Sequence, residues 1–148
     1  LVGSDVRSVA RVSDLNSDAL ADALAGSLDD CARALRGNGG GWIWTSPRGA
    51  SVLDIIPLAD SDWDGKPEVV SANALGRIEC LLGASGSLFW RYQFPSAGEV
   101  RRLALLPDQT GDGVEEVVGV SASGAVVCLR SILGPQTAVR QGLWVLHE

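Results

Sequence analysis

The chain has 148 residues, enough for one or at most two ordinary domains with a buried core. Hydrophobic residues make up 46% and charged residues 20%, a globular composition that excludes a disordered or fibrous chain. The net charge is −6 and Lys66 is the single lysine, so no nucleic-acid surface is expected, because phosphate contacts need clustered positive charge.

No stretch approaches the roughly 18 to 20 uninterrupted apolar residues of a bilayer span, so no membrane insertion is expected. There is no methionine, and no charged-then-apolar leader at residue 1, so the chain reads as a processed protein or as a piece of a longer one.

Taken in order, Val6–Val12 alternates irregularly with period two and reads as a first strand. An acidic loop follows with Asp14, Asn16, Asp18 and Asp22. Residues 18–34 are rich in Ala, Leu and Asp, and propensity alone favours a helix there. Gly37 and residues 39–41 lack the following Lys-Ser or Lys-Thr of a phosphate-cradling loop and read as a hairpin turn leading to a strand with Trp44.

The same order then recurs. Val52–Leu58 is a first strand, Asp60 to Glu68 an acidic loop, 68–72 a second strand, 77–82 a third and 87–92 a fourth, with turns at Leu75-Gly76 and 83–86. Val100–Leu106 opens a third round, followed by the loop from Asp108 to Glu116 and strands at 116–120 and 125–130, with a turn at Ser123-Gly124. Asp14, Asp60 and Asp108 stand 46 and 48 residues apart, and Asp18, Asp64 and Asp112 keep that register, as do Asp22, Glu68 and Glu116. Ala34, Cys80 and Cys128, each followed by leucine, share a further column, as do Gly40, Gly86 and Gly134. Trp44 and Trp90 hold another, which Trp144 reaches after a six-residue insertion.

This register outweighs the helical propensity of 18–34. It predicts an all-β chain, a β-propeller segment of three four-stranded antiparallel blades at about 6–50, 51–99 and 100–148. Three blades would leave two raw edges, so the chain is expected to be a single partial propeller (1–148) within a larger ring of roughly six to eight blades, completed by neighbouring blades of the same protein or by a second chain.

The loops carry the one chemical motif. Asp60, Asp62 and Asp64 offer oxygens at alternate positions, Gly65 permits a left-handed turn, and Glu68 supplies a later carboxylate, a pattern suited to a hard cation such as Ca²⁺. An EF-hand would need glutamate at the twelfth loop position, where Ser71 stands. The third loop (Asp108, Thr110, Asp112, Glu116) has a threonine in place of one carboxylate and should bind more weakly. The first (Asp14, Asn16, Asp18, Asp22) has Ala19 in place of the glycine and should be poorest. The competing reading is that these side chains only shape the turn through bonds to nearby amides. Either role is structural.

The phrase 56–70, with its D-x-D-x-D-G-x-x-E core, resembles the FG-GAP repeats of integrin-α-like propellers. The phrase 80–90 resembles the tryptophan-docking motif of quinoprotein-like (PQQ-like) propellers, with Gly86 four residues before Trp90. Together they are similar to hybrid repeats of secreted or surface-anchored bacterial propeller proteins. The resemblance covers nearly the whole chain and implies a secreted or cell-surface location. It implies that Trp44, Trp90 and Trp144 pack between blades. The match departs from the docking motif at Cys80 and Leu82, where alanine and aspartate are usual, and the adjacent cysteine pair of a quinone-using dehydrogenase is missing. Bound quinone (PQQ) is therefore not expected.

Cys31, Cys80 and Cys128 have no metal-ligand spacing. The last two occupy one column of adjacent blades, too far apart for the roughly 7 Å limit of a disulfide, so buried free thiols are expected. His147 has no catalytic neighbours in the sequence, and Arg101-Arg102 reads as a solvated strand end. The expected function is a non-catalytic interaction or scaffolding module binding a protein or carbohydrate through the variable segments 45–50, 94–99 and 135–141. The alternative is a fragment of a quinoprotein dehydrogenase or polysaccharide lyase whose catalytic residues lie outside this chain.

Overall fold

The computed structural model describes residues 5–95 and 98–131. Among them are eleven strands and no helix: β1 (Val6–Val12), β2 (Asp22–Ser27), β3 (Cys31–Leu35), β4 (Trp42–Pro47), β5 (Val52–Leu58), β6 (Glu68–Asn73), β7 (Arg77–Leu81), β8 (Leu88–Gln93), β9 (Val100–Leu106), β10 (Glu116–Ser121) and β11 (Val126–Leu129). They form three antiparallel sheets, β1-β2-β3-β4, β5-β6-β7-β8 and β9-β10-β11, each a meander in chain order. The fourth strand expected in the third blade, with Trp144, falls outside the described residues, as do Gly134, the insertion at 135–141 and His147.

The Ala-rich stretch at 18–34 contains β2 and β3. Propensity for a helix is worth tenths of a kcal/mol per residue. In the sheet, Leu24, Ala32 and Ala34 are wholly buried. A fully buried leucine is stabilised by about 2 kcal/mol, so packing decides.

The core lies between sheets. Val12, Leu15, Leu24, Ala34 and Trp44 of the first blade meet Val52, Ile55, Val69 and Leu81 of the second. The opposite face of the second blade offers Leu58, Val70, Ile78 and Cys80 to Val100, Leu103, Val117 and Leu129 of the third. The middle blade is therefore covered on both sides, and all six residues of β6 are buried. This is why β6 shows no alternation of buried and exposed positions, and why its polar residues Glu68, Ser71 and Asn73 are buried with its apolar ones.

Two polar devices set the blade spacing. Trp44 Nε1 donates to the Gly83 carbonyl at 2.7 Å, and a Cβ on Gly86, whose φ is +71°, would stand 2.7 Å from the Trp44 ring. At the inner strands, Asp54 of β5 accepts from Ser8 Oγ of β1 at 2.7 Å and from the Leu103 amide of β9 at 2.8 Å, so one carboxylate ties three blades. Each inner strand is also bulged at the same place: pairing shifts between Val6 and Ser8, between Val52 and Asp54, and opposite the Val120/Ser121 step where β10 faces Arg102 and then Val100. The extra residues are Arg7, Leu53 and Arg101.

The expected hairpin at Gly37 to Gly41 is present, with the Arg36 amide bonded to the Gly41 carbonyl at 2.9 Å. All three cysteines are free. Cys80 is buried as expected, whereas Cys31 and Cys128 are only half-buried, each lying in a blade whose outer face has no described sheet over it. No helix among the described residues is long and apolar enough to cross a membrane.

Candidate metal centre

The three acidic loops follow one hydrogen-bonding plan, each joining the first strand of its blade to the second. Asp60 Oδ1 accepts from the Trp63 amide at 2.7 Å and its Oδ2 from Gly65 at 2.8 Å. Asp108 repeats this with Gly111 at 2.7 Å and Gly113 at 2.8 Å, and Asp14 with Ser17 at 2.6 Å and Ala19 at 2.8 Å. The chain must turn back toward the leading carboxylate twice, and it does so through left-handed residues at two positions per loop: Ser17 and Ala19, Trp63 and Gly65, Gly111 and Gly113. The sequence pattern exposed the second of these positions. The first was masked by serine and tryptophan, and only Gly111 in the third copy pointed to it.

The closing acid has its own role. Glu68 Oε2 takes the Ser61 amide in a short bond and Ser61 Oγ at 2.8 Å. Glu116 takes the Gln109 amide at 2.8 Å, and Asp22 takes Leu15 at 2.8 Å and Gly37 at 2.9 Å. All three are buried. The turn-shaping role weighed in the sequence is thus part of the structure.

The loops differ in what remains for a cation. In the second, one oxygen from each of Asp60, Asp62, Asp64 and Glu68 lies within 4.8 Å of the others, and this is the one such carboxylate group among the described residues. Ligands sharing a Ca²⁺ with bonds of 2.3 to 2.6 Å fall within about 5 Å of one another. Glu68 Oε1 is buried without a hydrogen-bond partner among the described residues. Burial pushes the Glu68 carboxyl up to about 7, a rise that the Ser61 bonds oppose and that Asp62 and Asp60 reinforce. A buried carboxylate that has one orphan oxygen and is clustered with three others is the arrangement that a hard cation relieves, so the residues present fit Ca²⁺.

In the third loop the Arg130 guanidinium donates to Asp112 Oδ2 at 2.8 Å, as does Thr110 Oγ1 at the same distance. The protein's own cation therefore sits on that carboxylate, although Glu116 Oε1 is also unpartnered. The Gly113 amide, followed by other loop amides and against some desolvation, holds Asp108 below the usual carboxylate range. In the first loop, Asn38 donates to Asp18 at 3.3 Å. Lys66 reaches across from the second loop to Ser17 Oγ at 2.7 Å and the Asp14 carbonyl at 3.4 Å. Asp14, Asn16, Asp18 and Asp22, like Asp108, Thr110, Asp112 and Glu116, thus sit on the same frame as the second loop without its close cluster.

Several polar residues that sequence reasoning did not single out are structurally committed. Glu79 is fully buried with Arg91 Nη2 at 2.6 Å and Arg48 Nη1 at 3.9 Å. Arg33 forks onto Asp29, led by its hydrogen bond, which holds that carboxyl at about 2. These pairs, like Asp54, involve positions that differ between copies, so the repeat register did not flag them.

No family model matches the chain, and no curated protein matches it. Its structure is similar to several solved ones. A BBS1N in complex with ARL6DN superposes with a TM-score of 0.63 at 14% identity over 83% of this chain. BamB from Moraxella catarrhalis gives 0.60 at 21% over 90%, and Chaetomium thermophilum Raptor 0.56 at 13% over 77%. This chain spans 36% of the length of each of the first two and 10% of the third. The likeness shows the fold: the described blades are those of a β-propeller.

Proposed function

We propose that the chain is a non-catalytic interaction and scaffolding segment of a larger β-propeller in an exported or cell-surface protein, stiffened by Ca²⁺ at Asp60, Asp62, Asp64 and Glu68 and presenting its end loops to a protein or carbohydrate partner. One observation carries this reading. The buried acids Asp22, Asp54, Glu68, Glu79 and Glu116 each hold a turn or join strands and blades, which is the chemistry of a rigid frame. The likeness to BBS1N, which was solved in complex with ARL6DN, supports a protein as the partner. The FG-GAP-like and PQQ-like phrases support the extracytoplasmic location and the Ca²⁺.

Two measurements test it. Millimolar Ca²⁺ should raise the melting temperature by several degrees relative to chelator, and Glu68→Gln should abolish that rise. In the variable segment 45–50, the double variant Thr45→Glu, Pro47→Glu, at two exposed positions, should weaken binding of the protein's native partner without moving the melting temperature. Unchanged partner binding in that variant, or quenching of tryptophan fluorescence by added quinone cofactor with dye-linked dehydrogenase turnover, would replace the scaffold reading by the enzymatic one.

A further inference from the structure

The bulges of the inner strands bring together side chains that stand far apart in the sequence. Arg7 of β1, Leu53 of β5, and Arg101 and Arg102 of β9 line one cleft of about 470 Å³ together with Glu99. The cleft lies where the inner strands begin, at the end opposite the acidic loops. The Arg101-Arg102 pair, read from sequence as a solvated strand end, is therefore half of a wall that Arg7 completes from two blades away.

The spacing of this wall is held from beneath. Asp54 bonds Ser8, the neighbour of Arg7, and the amide of Leu103, the neighbour of Arg102. Both Asp54 oxygens are engaged there, and the residue is 7% exposed, so it is not the counter-ion of the arginines above it. Glu99 is the one acid lining the cleft, and it pairs with Arg101 at 2.9 Å, both side chains remaining largely exposed. Arg7 and Arg102 have no ion-pair partner among the described residues. Elsewhere Arg33, Arg48, Arg91 and Arg130 each have a carboxylate within 4 Å, while Arg11, Arg36 and Arg77 have none among the described residues but stand outside this cleft. In a chain of net charge −6, two unmatched guanidiniums beside a third form a local field of opposite sign.

We propose that this cleft binds a carboxylate-rich segment of a protein partner. Guanidinium forks match carboxylates in bidentate geometry. The Leu53 side chain supplies an apolar strip for the methylenes of Glu and Asp, and the volume admits several side chains of a peptide where a single inorganic ion would need one pocket. A nucleic acid fits poorly, because three arginines in a molecule of net negative charge cannot follow a run of phosphates.

The inference rests on the reading of the chain as a partner-binding module and names the chemistry of one contact surface. Its test is fluorescence anisotropy with a labelled octaglutamate peptide. Binding should weaken at least tenfold in Arg7→Glu and in Arg102→Glu, by a smaller factor in the Gln variants, and not at all in Arg36→Glu, with unchanged melting curves throughout. It should also weaken as ionic strength rises, as expected of partly exposed charges. No binding, equal weakening in Arg36→Glu, displacement of the peptide by millimolar phosphate, or tighter binding of a labelled oligonucleotide overturns the proposal. If octaglutamate fails to bind while partner binding still depends on Thr45 and Pro47, this site alone is wrong; if both fail, the module reading falls with it.

Discussion

At the scale of single residues, the loops show how one backbone plan tolerates different side chains at a measurable cost. Ala19 sits at φ +65° where its counterparts Gly65 and Gly113 sit at +86° and +88°. A left-handed alanine costs about 1 kcal/mol, and part of any gain from glycine is offset by its freer unfolded state. Ala19→Gly should therefore stabilise the chain by about 0.5 kcal/mol, a rise of one or two degrees in melting temperature, and Gly113→Ala should destabilise it. A drop on Ala19→Gly would show that the first loop is not strained. Glu68 gives a second prediction at this scale. Its carboxyl is raised by burial from the ordinary range to about 7, so the folded state holds the proton more tightly than the unfolded one. The benefit of the neutral form is complete below about pH 4.5 and is lost as pH rises through 7, by about 3 kcal/mol in all. In chelator, melting temperature should fall from pH 5 to pH 8. Glu68→Gln should flatten that slope, and Ca²⁺, which takes the ionised form, should oppose it. An equal slope in wild type and Glu68→Gln would remove the buried acid as its origin.

Among elements, the register of the three copies was legible because it rests on local rules. Alternation, turn glycines at Gly76, Gly86 and Gly124, and acids at fixed spacing placed β1, β5 and β9 at their observed bounds and β6, β7, β8, β10 and β11 within a residue or two, while β2, β3 and β4 followed only from the register of the copies. The bulges were not legible. Each adds one residue to an inner strand, and its signature is a slip of pairing between two strands, which no single strand displays. The Asp54 link was hidden for a related reason: its column holds Ser8 in the first copy and Arg102 in the third, and a bond between unlike residues leaves no repeat.

For the whole molecule, the exposed faces of the end blades carry the argument. Ile55 of β5 is 1% exposed because the first blade covers it, yet Val9, in the same column of β1, is 73% exposed. On the far side Leu58 is 1% exposed and its counterpart Leu106 is 41%. These faces have the pattern of blade interfaces, in keeping with a segment of a larger ring. In the full-length protein, Val9→Lys should cost about 1.5 to 3 kcal/mol, the worth of a buried valine, read as a drop in melting temperature. A change within about 0.5 kcal/mol, typical of a solvated surface position, would show that no blade precedes it.

By itself the sequence determined the fold class, the blade register and the positions of the acidic loops, since each depends on short-range periodicity and on turn stereochemistry repeated three times. Only the tertiary structure decided that the carboxylates of the second loop cluster while Arg130 sits on Asp112 in the third, that Lys66 serves the first loop instead of its own, and that Arg7 faces Arg101 and Arg102. Those outcomes depend on distances between side chains of different strands and blades. Such distances follow from sheet packing and strand bulges, which no local pattern of residues encodes.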